Sequence, residues 1–209
     1  MSVLMFSTAI LLWLGATIFL RQYRIWIIYY IVGTVGLVYW LALLSGDILG
    51  LEPIFARSIA WSVHIIANTL GIPTHIFQNA PGVLLVLVVI QKVGWTVLHV
   101  GVESSGLLEI SVLVSILVFY PGWSFGRKLR SIMIGGSAVW GANLVRMLVI
   151  VAILNHFGKG SLVLAHTLVG RVLFFFFTVI IFWYLITSNT LSDLRDQRDS
   201  VNQQAEAAG

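Results

Sequence analysis

The stretch GANLVRMLVIVAIL, residues 141–154, is apolar at almost every position and yet holds Asn143 and Arg146. It belongs to an apolar segment over 131–155, and about 20 such residues suffice for a helix to cross the hydrocarbon core of a bilayer. Similar segments flank it at about 3–20, 25–45, 106–121 and 162–187. Of the 209 residues, 59% are hydrophobic and 10% charged, and the mean hydropathy is +0.98. A soluble domain carries about 25% charged residues. The expected fold is an all-α polytopic membrane bundle of about five to seven transmembrane helices.

Basic residues fall in short clusters between these segments: Arg21 and Arg24, then Arg127, Lys128 and Arg130, then Arg195 and Arg198. Such clusters are orientation signals that stay on the cytoplasmic side. One arrangement satisfies all three, with the N-terminus outside, the C-terminal tail inside, and residues 46–105 and 156–161 on the outer side. The net charge of +4 thus speaks for topology in a lipid bilayer. It does not speak for nucleic acid, which calls for a basic stripe on one face. No basic residue precedes the first apolar run, so that run is expected to be retained, not cleaved as a signal peptide. The chain reads as one integral membrane domain over 1–187 with an outer-face insertion at about 46–105, followed by a polar cytoplasmic tail at 188–209.

The insertion has two parts. "IFARSIAWSVHIIANTL", 54–70, has helical character but includes Arg57, His64 and Asn68, which suits an interfacial or re-entrant helix better than a crossing. Gly71 and Pro73 end it. "GVLLVLVVIQKVGWTVLHVGV", 82–102, has two β-branched runs around "QKVG" and fits a small β-hairpin. The rival reading makes both parts cross; the flanking topology requires both or neither, and neither is favoured.

Ionisable side chains inside a span are expensive and mark functional candidates. Arg146 lies deep in its span, with Asn143 three residues earlier on the same face. His166 lies about one turn inside the last span, with Gly170 a turn later. Glu103 and Ser104 stand at the outer end of theirs, where each also suits a helix N-terminus. Each has a plainer role as well: Ser104 as an N-cap, His166 as a hydrogen bond between helices, Gly170 as a close-packing position, Arg146 as a snorkelling cation, although its depth favours a buried partner. His64, His75, His99 and His156 lack metal-ligand spacing and read as surface or packing residues. Arg171 reads as structural, on a different helix face from His166. Together, a hydroxyl, a guanidinium and an imidazole from three helices converge on the outer half of one bundle. An imidazole can deprotonate a nucleophile, and a guanidinium can stabilise the oxyanion of acyl transfer. The chain contains no cysteine, which excludes disulfides, thiolate metal sites and a thiol nucleophile. No cofactor or metal is expected.

Three motifs, "ESSGLLE" at 103–109, "NLVR" at 143–146 and "HTLVG" at 166–170, resemble in order and spacing those of the exosortase/archaeosortase family of integral membrane cysteine transpeptidases. The resemblance covers roughly residues 71–177, and the short chain is similar to the Gram-positive branch called exosortase G. It implies a catalytic set at Ser104, Arg146 and His166, supported by Glu103, Asn143 and Gly170. It also implies a partner: the C-terminal sorting signal of an exported protein, made of a short motif, a transmembrane helix and a basic tail. The family has cysteine where this chain has Ser104, and a serine hydroxyl is a weak nucleophile without an aligned base. The expectation is a protein-sorting transpeptidase or peptidase that is inactive or slow as it stands.

Two other readings stay open. A Ser-His intramembrane protease fits less well, because Glu103 stands where Ser105 would need the glycine of a Gly-x-Ser-Gly motif. A non-catalytic transporter, channel or assembly scaffold could use Arg146 to bind an anion, although no repeated half is present in the sequence.

Overall fold

The computed structural model describes residues 3–45, 50–78, 85–91, 94–99 and 102–188. The tail from 189 onward, the tip of "QKVG" at 92–93 and the side chain of Glu103 lie outside the described part. The protein is an all-helical membrane bundle carrying a small antiparallel sheet. Four of its helices are long and apolar enough to cross a membrane: α1 (Val3–Gln22), α2 (Trp26–Leu43), α6 (Phe125–Phe157) and a last helix over Lys159–Thr187. Many of their large apolar side chains face outward, Leu12 at 75% and Ile27 at 76% exposed among them, as suits helices that span lipid.

The helices meet through small residues and aromatic rings. Trp13 Nε1 of α1 donates to Val32 O of α2 at 3.0 Å. Gly33 of α2 lies so close beneath the Phe119 ring that a Cβ there would overlap it. Without a hydrophobic drive between helices already in lipid, such close approach is what holds a bundle together.

Helix α5 (Leu107–Phe119) occupies the third expected span. Its 13 residues reach about 20 Å, short of the roughly 30 Å hydrocarbon core. Two breaks set its length. Gly106 before it has φ 73°, a left-handed conformation that favours glycine, and Tyr120–Pro121 close its far end. Before Gly106 stands a single turn, α4 (Val102–Ser105). This corrects the reading of Ser104 as an N-cap. Gly106 is the cap residue, and no side chain caps α5. The hydroxyl that serves the break belongs to Ser105, whose Oγ accepts from Leu107 N at 3.2 Å. Ser111 and Ser115 bond back to the carbonyls of Leu107 and Ser111 at 2.9 and 2.7 Å, so their buried hydroxyls are satisfied within the helix.

The insertion holds helix α3 (Leu51–Thr69) and strands β1 (Thr74–Gln78), β2 (Leu85–Gln91) and β3 (Gly94–His99) in the order β1-β2-β3. Thr74 pairs with Val89, and Val88 of β2 with Val97 of β3. Strand β1 was not expected; its short "THIFQ" follows the helix stop at Gly71 (φ 78°) with too few residues to declare a period. Asn68 and His64 fasten it to α3. Thr74 N donates to Asn68 Oδ1 at 3.1 Å, and Thr74 Oγ1 lies 2.8 Å from His64 Nδ1. His64 is thus part of the joint between helix and sheet.

Helix α6 is the axis of the molecule. Its 33 residues extend about 50 Å. Toward its C-terminal end Met147, Ile150, Val151 and Leu154 pack with Ile59 and Val63 of α3, Leu98 of β3 and Ala165. Toward its N-terminal end Val139 and Ala142 pack with Leu113, Leu117, Phe174 and Leu185. Gly135 admits the last contact: a Cβ there would lie 2.5 Å from Leu185 Cδ1 and 2.6 Å from Leu113 Cδ2, whereas one at Gly136 would meet nothing within 4 Å. Gly135→Val is therefore expected to cost about 1–3 kcal/mol by overpacking. Gly136→Val should melt with the unmodified protein in detergent; equal melting of both variants contradicts the packing described.

Candidate functional site

Asn143 and Arg146 lie between the two apolar clusters of α6, and both are buried. Asn143 Nδ2 donates to Ser104 O at 2.7 Å. A Cβ on Gly106 would stand 3.2 Å from the same nitrogen, so the broken turn between α4 and α5 rests directly on Asn143. Asn143 Oδ1 is buried, with no hydrogen-bond partner among the described residues. Such an orphaned acceptor is uncommon in a folded interior.

Arg146 lies about 16 Å from the end of its helix, and its side chain is buried. Its Cζ is 5.1 Å from the centroid of the Phe174 ring, a cation–π contact that gains strength away from water. The snorkelling reading of Arg146 is thereby replaced by a buried partner on the last helix.

The last helix widens where it carries the histidine. Leu164–Val169 is π-helical, a geometry concentrated at functional sites. The i→i+5 pattern realigns its faces. Arg171, expected on another face from His166, follows it by one wide turn, and both line a cavity of about 490 Å³. Gly170 instead turns toward α6 and its own preceding turn, where a Cβ would meet Ile150 Cδ1 at 2.9 Å and Ala165 O at 3.1 Å. Its place on the face of His166 is therefore corrected: Gly170 is the point where the last helix approaches α6.

The cavity brings together Glu109 of α5, Arg146 of α6, and His166 and Arg171 of the last helix, with Phe174 and Thr178 below them. Of the residues singled out from sequence, Arg146 and His166 meet here. Ser104 is buried and is not on the lining; it joins the site through its carbonyl and Asn143. Glu109 and Arg171 are the residues that sequence reading left out. Glu109 ends the "ESSGLLE" motif, in the first turn of α5 after the break at Gly106. Arg171 is hidden by the π-turn, which sequence periodicity does not announce. Two guanidiniums, an imidazole and one carboxylate form a cation-rich cavity among aromatic rings, suited to a carboxylate, a peptide carbonyl or an oxyanion.

Neither a known family, a curated protein nor a solved structure matches the chain.

The Asn143–Ser104 bond makes a local forecast. Asn143→Ala leaves a buried carbonyl without its donor, at about 1–3 kcal/mol, and hydrogen exchange should quicken first at residues 102–109. Unchanged exchange there would remove Asn143 as the clamp on that turn.

Proposed function

We propose that the chain is a membrane-embedded protein-sorting transpeptidase or peptidase of the exosortase type, made inactive or slow by serine at position 104. The observation that carries this reading is the meeting of Arg146 and His166 on one cavity, while Asn143, one turn from Arg146, holds the Ser104 carbonyl at 2.7 Å. In the reaction His166 takes the proton of the nucleophile at 104 and later returns it to the leaving amine. Arg146 faces the charge that develops on the scissile carbonyl. The acyl chain, held at residue 104, then passes to an amine or to water. Glu103, Asn143 and Gly170 support this set, with Gly170 fixing the helix that bears His166. The substrate is the C-terminal sorting signal of an exported protein, presented within the bilayer.

The burial of Ser104 off the cavity lining favours a second reading, a non-catalytic scaffold or transporter in which Arg146 and Arg171 hold an anion. The two differ in outcome. In the first, Ser104→Cys cleaves a tail-anchored substrate bearing a sorting signal, and adding His166→Ala or Arg146→Ala lowers cleavage at least a hundredfold. Full cleavage by Ser104→Cys, His166→Ala removes the base from the mechanism, and no cleavage by well-folded Ser104→Cys leaves the scaffold reading.

The site belongs to the outer membrane face in this proposal, with Arg21, Arg24, Arg127, Lys128 and Arg130 on the cytoplasmic side and about five crossings in all. The absence of native cysteine makes the arrangement directly measurable. A single cysteine at Lys159 should react with an impermeant thiol reagent applied to intact cells, and one at Arg127 only after permeabilisation. The reverse pattern inverts the topology.

A further inference from the structure

The end of the bundle remote from the sheet holds a feature that the proposed reaction does not use. Arg21, in the last turn of α1, and Lys128, in the first turn of α6, line a cavity of about 710 Å³ walled by Trp26, Tyr29, Tyr120 and Trp123. Arg21 and Lys128 thus place two like charges on one cavity, and no acidic residue is among those lining it. Lys128 Nζ donates to Val118 O at 2.6 Å. That bond fixes the ammonium, which has two donors beyond it.

A second cavity of about 300 Å³ adjoins the first, and Val118, Trp123 and Lys128 line both. Apart from Lys128, its walls are apolar: Phe125, Leu129 and Ile132 complete them. Phe125 and Leu129 are exposed at 80% and 50%, so this wall opens to the outside of the bundle. A cationic chamber and a hydrocarbon-lined one therefore meet at a single ammonium. A free anion would use only the first chamber, and a zwitterionic headgroup would bring a third cation beside the two already there.

We propose that Arg21 and Lys128 bind the phosphate of an anionic phospholipid, whose acyl chain lies over Val118, Phe125, Leu129 and Ile132. The guanidinium offers paired donors to phosphate oxygens and the ammonium a compact point charge. Trp26, Tyr29 and Trp123 supply amphipathic rings of the kind that sit at headgroup level. Basic pockets between transmembrane helices are suited to such headgroups. The bound lipid would bridge the α1–α2 turn and the α5–α6 turn and relieve the repulsion between their two cations.

Native mass spectrometry of the full-length chain in detergent tests this with phosphatidylglycerol, phosphatidylcholine and inorganic phosphate. The unmodified protein should retain phosphatidylglycerol several-fold better than phosphatidylcholine, and excess inorganic phosphate should not displace it. Arg21→Gln with Lys128→Gln should abolish the preference, and the charge-matched pair Arg57→Gln with Lys159→Gln should keep it. Loss of two basic residues can disturb insertion, so Leu129→Trp, which fills the apolar chamber with both charges intact, should by itself lower retention several-fold. Lys128→Arg should preserve it. Equal retention of both lipids, equal loss in the charge-matched pair, unchanged retention in Leu129→Trp, or displacement by inorganic phosphate overturns the proposal.

Discussion

A guanidinium deep within an apolar helix has to be accommodated by the protein, because lipid offers it no hydrogen bond and no counter-charge. Arg146 sets that demand. Phe174 meets it from the last helix with a ring face, and α5 brings Glu109 to the same cavity. The two apolar clusters close above and below this level, so the polar groups form a thin layer between them. Helix α5 is cut short at Gly106 at the same height, and Asn143 takes up the carbonyl that the break exposes. One buried cation and the amide a turn away thus dictate where three helices meet.

Much of this layer was visible in the residues alone, and the reasons for the rest are specific. The four long helices follow from uninterrupted apolar runs, because burial in hydrocarbon needs only length and hydropathy. Arg146 and His166 stood out as ionisable groups in such runs and do line one cavity. The break at Gly106 did not stand out, since a lone glycine in an apolar run is as readily a packing residue as a left-handed stop. For that reason Ser104 read as a cap, when the hydroxyl at the break is that of Ser105. Strand β1 is five residues long and is defined by its partner more than by its own pattern.

The π-turn at Leu164–Val169 had the largest effect on the site. Helical periodicity at 3.6 residues separates His166 from Arg171 and pairs it with Gly170. Widening the turn reverses both relations, bringing a second guanidinium to the cavity and sending Gly170 to Ile150. The widened turn lets Gly170 approach α6 closely while His166 and Arg171 share a cavity with Arg146.

Helix α3 has a consequence for how the chain is made. Its buried face, Ala56, Ile59, Ala60, Val63 and Ala67, packs on the C-terminal half of α6, and its other side leaves Ile54, Trp61 and Ile65 exposed. Synthesis runs from the N-terminus, so α3 emerges well before the surface that covers it. Largely apolar around its girth but bearing Arg57 and His64, it suits the membrane interface as a waiting place. The sheet that follows can pair before α6 arrives, since β1, β2 and β3 are neighbours in the chain. The site itself waits on the helices made last, since Arg146 and His166 both belong to them.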